Sequence, residues 1–92
     1  MIKGRPKKQR YILDQPRIKY FSPRGLPGRP EEVILTLDQW QASKLTDYQG
    51  LNQKESAQIM RISQQTFSRI LRQARRIVAD ALTNGKIIKI SP

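Results

Sequence analysis

The sequence contains no cysteine and no histidine. Disulfides, thiolate metal sites, catalytic thiols and imidazole general bases are therefore excluded. Acidic residues are scarce, 7 against 18 basic residues, and Glu31 and Glu32 form the only adjacent pair. Neighbours in an extended segment point to opposite faces, so this pair is poorly placed for joint acid–base chemistry. The sequence also lacks a glycine-rich phosphate loop and a metal-ligand cluster. We expect neither an enzyme nor a cofactor, and no small-molecule ligand is evident.

Long apolar runs are also missing. No stretch approaches membrane-spanning length, and the first residues lack the apolar segment of a signal peptide. We therefore expect a cytoplasmic prokaryotic protein with no membrane partner. A chain of 92 residues allows one small domain with a modest core, and such a domain is often helped by a partner subunit.

Positive charge is the most pronounced property that the sequence does have. The formal net charge is +11, and residues 1–30 hold 9 basic residues and 1 acidic residue. Such an excess indicates a polyanionic partner, either nucleic acid or an anionic membrane. Solubility through charge is the alternative, but a pI near 10.8 exceeds what solubility requires.

The basic residues are densest in residues 1–10, which we expect to form a disordered arm when free. The stretch Gly4-Arg5-Pro6 resembles the core of an AT-hook, which lies extended in an A·T-rich minor groove. A nonspecific electrostatic tail is an equally good interpretation. The candidate minor-groove or tail residues are Lys3, Arg5, Lys7, Lys8 and Arg10.

Residues 11–35 are loop-rich, with signals for two short strands. Residues 17–21 alternate basic and apolar side chains, and residues 32–35 form a brief apolar run. Tyr20 and Phe21 can stack on bases, but a small domain short of apolar residues favours burying them.

Residues 36–85 read as a helical domain. Thr36 is placed as an N-cap with Gln39 completing a capping box, and Gly50 ends this first helix. Its expected packed side carries Leu37, Trp40, Lys44, Leu45 and Tyr48, with Trp40 as the largest core anchor.

Two further helices follow within residues 52–84. Asn52 with Glu55 forms the signature of a capping box, and Ser63 is placed to cap a second helix three residues beyond the end of the first. Helices joined by so short a turn make a helix-turn-helix arrangement, although an ordinary helical hairpin fits the same pattern. The core shared by these helices is expected to hold Ala57, Met60, Ile62, Phe67 and Ile70.

The outer face of the second of these helices is polar, and no acidic residue occurs from 58 to 77. Glutamine, serine and arginine can bond base edges or phosphates in a major groove. The candidates for base edges are Gln64, Gln65 and Arg69. The candidates for phosphates are Ser63, Ser68, Arg72 and Lys54.

The apolar stripe of this helix continues past the motif to about Asn84, where Gly85 ends it. A three-helix core cannot cover both ends of it, so we expect residues 77–82 to pack on the N-terminal strands or on a second subunit. Residues 86–92 read as a terminal strand, paired either with residues 33–35 or with its copy in a homodimer. The predicted fold is mainly α: a three-helix helix-turn-helix core with a long recognition helix, plus short N- and C-terminal β-strands.

Several motifs in order resemble a small bacterial and archaeal family, domain-of-unknown-function number one-three-four. They are Tyr20-Phe21-Ser-Pro-Arg-Gly25, residues 31–36, Ser63-Gln-Gln-Thr-Phe67-Ser-Arg-Ile-Leu71 and residues 79–86. The resemblance implies a predicted DNA-binding fold with a helix-turn-helix similar to region four of sigma factors.

Three positions depart from that family. Arg61 stands where glycine is usual in the turn, so a left-handed backbone there would cost about 1 kcal/mol unless the turn takes another geometry. Gln64 replaces a common arginine, and the N-terminal cysteines of many relatives are absent. No metal or redox role is therefore carried over.

The leading hypothesis is a sequence-specific, dimeric transcriptional regulator that binds double-stranded DNA. The alternatives are a sigma-region-four-like module that docks on polymerase, or an RNA-binding protein.

Overall fold

A computed structural model describes residues 14–25 and 28–92. The arm of residues 1–10 lies outside the described residues, as do its predicted minor-groove contacts. In chain order the elements are strand β1 (Tyr20–Phe21), strand β2 (Glu32–Thr36), helix α1 (Leu37–Ser43) continuing as a π-helical segment (Lys44–Tyr48), helix α2 (Gln53–Met60), helix α3 (Gln64–Asn84) and strand β3 (Ile87–Ser91). The predicted mainly α fold with short strands near both ends is confirmed.

The three strands form one sheet in the order β1–β3–β2. β3 runs parallel to β2 and antiparallel to β1. Two parallel strands need a long crossover, and the three helices between β2 and β3 supply it. Of the two expected partners for the terminal strand, the chain's own N-terminal strands are therefore the ones observed.

The core consists of two clusters joined by α3. The first lies among the helices and contains Ala42, Leu45, Ala57, Met60, Phe67, Ile70 and Leu71. The second lies between α3 and the sheet around Leu35, Ala74 and Ile90, with Trp40 and Val78 packed against it. The sheet thus covers Ala74, Ile77 and Val78 of the α3 stripe, so this part packs on strands of its own chain, which was one of the two expected arrangements.

Two expectations about burial are wrong. Tyr48 is 84% exposed because the π-helical segment, in which Gln49 N–H donates to Lys44 C=O, rotates the residues after Lys44 away from α-helical register. Tyr20 and Phe21 are each 52% exposed, since β1 is a two-residue edge strand. Leu82 is 78% exposed, so the strands of its own chain leave most of it uncovered.

Candidate nucleic-acid interface

The α2–α3 connection is fixed by caps at both of its helix starts. The Asn52 side chain accepts from the Glu55 amide at 2.8 Å, and the Glu55 carboxylate accepts from the Asn52 amide at 3.2 Å. Ser63 Oγ accepts from the Thr66 amide at 3.0 Å. Only three residues separate the helices, and the first of them, Arg61, has φ 57° and ψ 44°. The turn therefore takes the left-handed geometry despite having arginine there.

Close packing sets the rotation of α3 about its own axis. Ala57 on α2 is buried where the helices meet, and its small side chain lets α3 approach. Met60 and Phe67 are fully buried between the helices. Because residues three and four apart share a face of a helix, burying Phe67, Ile70 and Leu71 leaves the opposite side of α3 in solvent.

The sequence-predicted site residues lie at the surface. Gln64, Gln65, Arg69 and Arg72 are exposed on α3, and Ser68 is half-buried. Ser63 at the α3 N-cap and Lys54 in the first turn of α2 are exposed as well. The α3 residues do not form one line, however. We define the outer row of α3 as Gln65, Arg69 and Arg72, which are spaced four and three residues apart and therefore lie on one side of the helix. Gln64 and Ser68 lie beside this row.

Sequence reasoning missed one residue of this row. Arg76 is exposed and follows Arg72 by four residues, so it extends the outer row by one more turn. The same spacing rule that grouped Arg69 with Arg72 would have found it. From Gln65 to Arg76 the helix rises about 16 Å, which exceeds the width of a major groove of about 12 Å.

The other arginine of this segment, Arg75, is held by a carboxylate. Its guanidinium donates to both oxygens of Asp47, at 2.7 and 3.2 Å. These hydrogen bonds, donated by Arg75 and accepted by Asp47, lower the pKa of Asp47 and raise the pKa of Arg75. Arg69 and Arg72, by contrast, form no ion pair with any residue in the described part of the chain.

The acidic residue of α3, Asp80, lies near the end of the helix and is hydrogen-bonded. Asp80 accepts from Asn84 at 2.7 Å and from Lys86 at 3.0 Å, and these hydrogen bonds lower the pKa of Asp80. The first turn of α3 carries no acidic residue. The exposed backbone amides at that end, together with Gln65, Arg69 and Arg72, therefore present positive potential in a part of α3 that carries no carboxylate. Arg76, at the other end of the row, lies one turn from Asp80 and interacts with it electrostatically.

Two further observations concern ligands and membranes. Across residues 14–25 and 28–92, no three acidic side chains lie close enough together to hold a metal ion. Over the same ranges, no helix combines the length and the apolar character needed to cross a bilayer.

Comparison with known proteins gives matches along nearly all of the chain. The chain is 46% identical over 87 residues to a UPF0251 protein of Caldanaerobacter subterraneus, covering 94% of this chain and 74% of the relative. It is 44% identical over 89 residues to a UPF0251 protein of Methanococcus vannielii, with 96% and 68% covered. A UPF0251 protein of Caldicellulosiruptor bescii is 49% identical over 86 residues, with 94% and 60% covered. No solved structure matches.

The model of one family, described as protein of unknown function DUF134, matches residues 1–91. The earlier resemblance to that family is therefore confirmed. By this match and by the similarity of its relatives, the chain belongs to the DUF134 family.

Proposed function

We propose that this protein is a sequence-specific DNA-binding protein that regulates transcription in the cytoplasm. The observation that carries the proposal is the outer row of α3: exposed, free of acidic residues, and on a helix that starts three residues after another helix ends. Such an arrangement is typical of a helix that is carried into the major groove by the helix before it.

The start of α3 has the chemistry for reading bases. A glutamine can bond both N6 and N7 of adenine, and an arginine can bond O6 and N7 of guanine. Gln64 and Gln65 lie in the first turn, where α3 would enter the groove, and Arg69 follows one turn later. In this proposal these three residues contact base edges.

Phosphate contacts would position the helix. Ser63, Ser68 and Arg72 flank the proposed base contacts on α3, and Lys54 lies on α2. Arg76 adds a further cation beyond the groove edge. The arm residues Lys3, Arg5, Lys7, Lys8 and Arg10 would add minor-groove or phosphate contacts beside the site. If six to eight phosphates are neutralised, log K falls with log salt at a slope of about −5 to −7.

The test is selection from a random duplex library with the wild type, Arg69→Ala and Lys89→Ala. Lys89 is an exposed cation on β3, so its replacement removes the same charge away from α3. We expect Arg69→Ala to lose about 1–3 kcal/mol of preference at one base position. Lys89→Ala should retain the full motif. A wild-type protein that enriches no sequence would contradict the proposal.

One observation favours RNA as the second candidate ligand. Tyr20 on β1 is half exposed and lies opposite Lys89 on β3, which places a stacking ring beside a cation. Competition between duplex DNA and structured RNA separates the two candidates. RNA that displaces the selected duplex at equal concentration, with the effect lost in Tyr20→Ala, would favour the second.

A further inference from the structure

One face of the molecule carries a connected set of exposed apolar side chains that the outer row of α3 does not use. We define the apolar strip as Ile18, Phe21, Trp40, Tyr48 and Leu82. The described part of the chain exposes six large apolar side chains, and four of them belong to the strip: Ile18, Phe21, Tyr48 and Leu82. The fifth member of the strip, Trp40, is half-buried.

Shared side chains connect the strip. Trp40 and Lys44 line both a groove of about 470 Å³ beside Tyr48 and a groove of about 430 Å³ that contains Ile18 and Phe21. Phe21 also lines a third groove, of about 260 Å³, together with Leu82. The surface therefore runs without a break from the π-helical segment, across β1, to the end of α3.

The strip is separate from the proposed DNA-binding face. Leu82 lies roughly a quarter turn around α3 from Gln65. It is on the same side of the helix as Gln64, but about five turns and about 27 Å further along the axis. Arg75 lies on the same side as Leu82, and it points to Asp47 at the edge of the strip. A molecule bound to the strip would therefore leave Gln65, Arg69 and Arg72 accessible.

Charge on and around the strip cancels, in a chain of net charge +11. Asp14 pairs with Lys44, Asp47 with Arg75, and Lys86 with both Asp80 and Glu31. Each of these ion pairs borders one of the three grooves. Together with Arg17 they place four acidic and four basic groups around the strip: Asp14, Glu31, Asp47, Asp80, Arg17, Lys44, Arg75 and Lys86. Two copies of this basic protein can meet at such a surface without bringing net positive charge together.

The exposed area is suited to a subunit contact. With about 200 Å² for an aromatic side chain, the exposed parts of Tyr48 and Phe21 amount to roughly 270 Å², and Leu82 and Ile18 add to this. A stable interface buries about 800 Å² on each partner, rather more than half of it apolar. The strip with its rim of paired charges therefore provides an apolar centre and a polar border.

We propose that the apolar strip is the contact surface of a symmetric homodimer. A two-fold contact requires one surface to complement itself, and this one offers projecting side chains, Leu82 and Tyr48, beside shallow apolar grooves. Leu82 of one copy fills the Trp40–Tyr48 groove of the other, and the reverse contact forms at the same time. The apolar strip would thus be the interface of the dimer that the proposed function expects. The contact itself does not depend on DNA binding.

The test is sedimentation equilibrium of the full chain, with Tyr48→Glu, Leu82→Glu and Tyr20→Glu. Tyr20 is a matched control, a half-exposed tyrosine outside the strip. The wild type should be dimeric, and each strip variant should raise the dissociation constant about 30-fold, as expected for a residue at the centre of an interface. Tyr20→Glu should leave the dissociation constant of the dimer within about twofold of the wild-type value. Circular dichroism verifies that each variant is folded.

Salt gives a second measurement. Added salt screens the net positive charge of two copies and leaves apolar burial intact, so dimerisation should not weaken as salt rises. A wild type that is monomeric at all concentrations would overturn the strip proposal, as would equal effects of Tyr20→Glu and Tyr48→Glu. A monomer that still selects a DNA sequence would overturn only this inference. A dimer that selects none would overturn only the proposed function.

Discussion

Arg61 shows how one residue can bear a backbone conformation that its side chain disfavours. It is the one non-glycine residue with positive φ among residues 14–25 and 28–92. A left-handed conformation costs an L-residue with a Cβ atom roughly 1–2 kcal/mol. The turn is retained because the caps at Asn52 and Ser63 and the burial of Met60 and Phe67 on either side fix where α2 ends and α3 begins.

Replacing Arg61 by glycine should therefore relieve the backbone strain at this turn. We compare Arg61→Gly with Arg61→Ala, because both remove the side chain but only alanine keeps the Cβ atom. Glycine should be more stable than alanine by about 1 kcal/mol, measured as the free energy of unfolding in urea. Equal stability of the two variants would show that the backbone at this turn is not strained.

The ion pair of Asp47 with Arg75 makes a small, pH-dependent contribution. Both side chains are about half exposed, so the pair is worth less than about 1 kcal/mol. Because Arg75 lowers the pKa of Asp47, the native carboxyl stays ionised at a pH where the unfolded chain has already bound a proton. The stabilisation is thus present above the ordinary value of 3.8 and is lost as pH falls through the native value.

Asp47→Asn should consequently lower the free energy of unfolding by less than about 1 kcal/mol at neutral pH. The difference from the wild type should shrink as the pH falls below 3.8 and also as salt is added. Urea unfolding at several pH values measures this, with Arg75→Gln and the double variant closing a mutant cycle. A difference that stays constant into the acid range would assign the effect to something other than the ion pair.

At the scale of elements, α3 and β3 join the two halves of the core. α3 contributes Phe67 and Ile70 to the helical cluster and Ala74 to the cluster on the sheet. β3 is the central strand, so it supplies hydrogen bonds to both of its neighbours. Damage to either element should therefore affect the entire domain.

A pair of isoleucines tests the role of β3. Ile90 on β3 is buried against α3, whereas Ile34 on β2 is half exposed on the other side of the sheet. Ile90→Ala should cost about 2–5 kcal/mol, a large part of the stability of so small a domain, and Ile34→Ala should cost clearly less. Thermal and urea unfolding compare them. Similar losses at both positions would contradict the packing of β3 on α3.

Helix boundaries were predictable because they depend on neighbouring residues. The three helices begin at the expected caps, Thr36 with Gln39, Asn52 with Glu55, and Ser63. Helix α3 ends at Gly85, which has φ 67°. These contacts span three or four residues, so the local sequence contains all of their atoms. The π-helical segment was missed, since a shift to i→i+5 hydrogen bonds reflects packing and leaves no local signature at Lys44–Tyr48.

At the scale of the whole molecule, the described surface has two contrasting sides. The outer row of α3 presents Arg69 and Arg72 without acidic partners, whereas ion pairs balance the charges around the apolar strip. This separation allows one side to meet a polyanion while the other meets a like-charged copy. Residues 1–10 add five basic residues to the total.

Deleting residues 1–10 tests how the arm shares in the proposed DNA binding. If its five cations reach phosphates, the deletion should weaken binding to all sequences alike and flatten the salt slope by up to about 4.5. Binding isotherms on a selected duplex and a scrambled one, at several salt concentrations, measure both effects. A loss confined to A·T-flanked sites would instead favour minor-groove reading of the AT-hook type.

The sequence by itself determined the helices, their caps, the polar outer side of α3 and the family, because these depend on periodicity and on contacts a few residues apart. Only the tertiary structure decided which strand pairs with which, that Arg75 is held by Asp47, and that Phe21 and Leu82 line one groove at the surface. Those outcomes join residues that are up to 69 positions apart, as Tyr20 on β1 and Lys89 on β3 are. Such contacts form only when the packing of α3 on the sheet has fixed the relative positions of the elements.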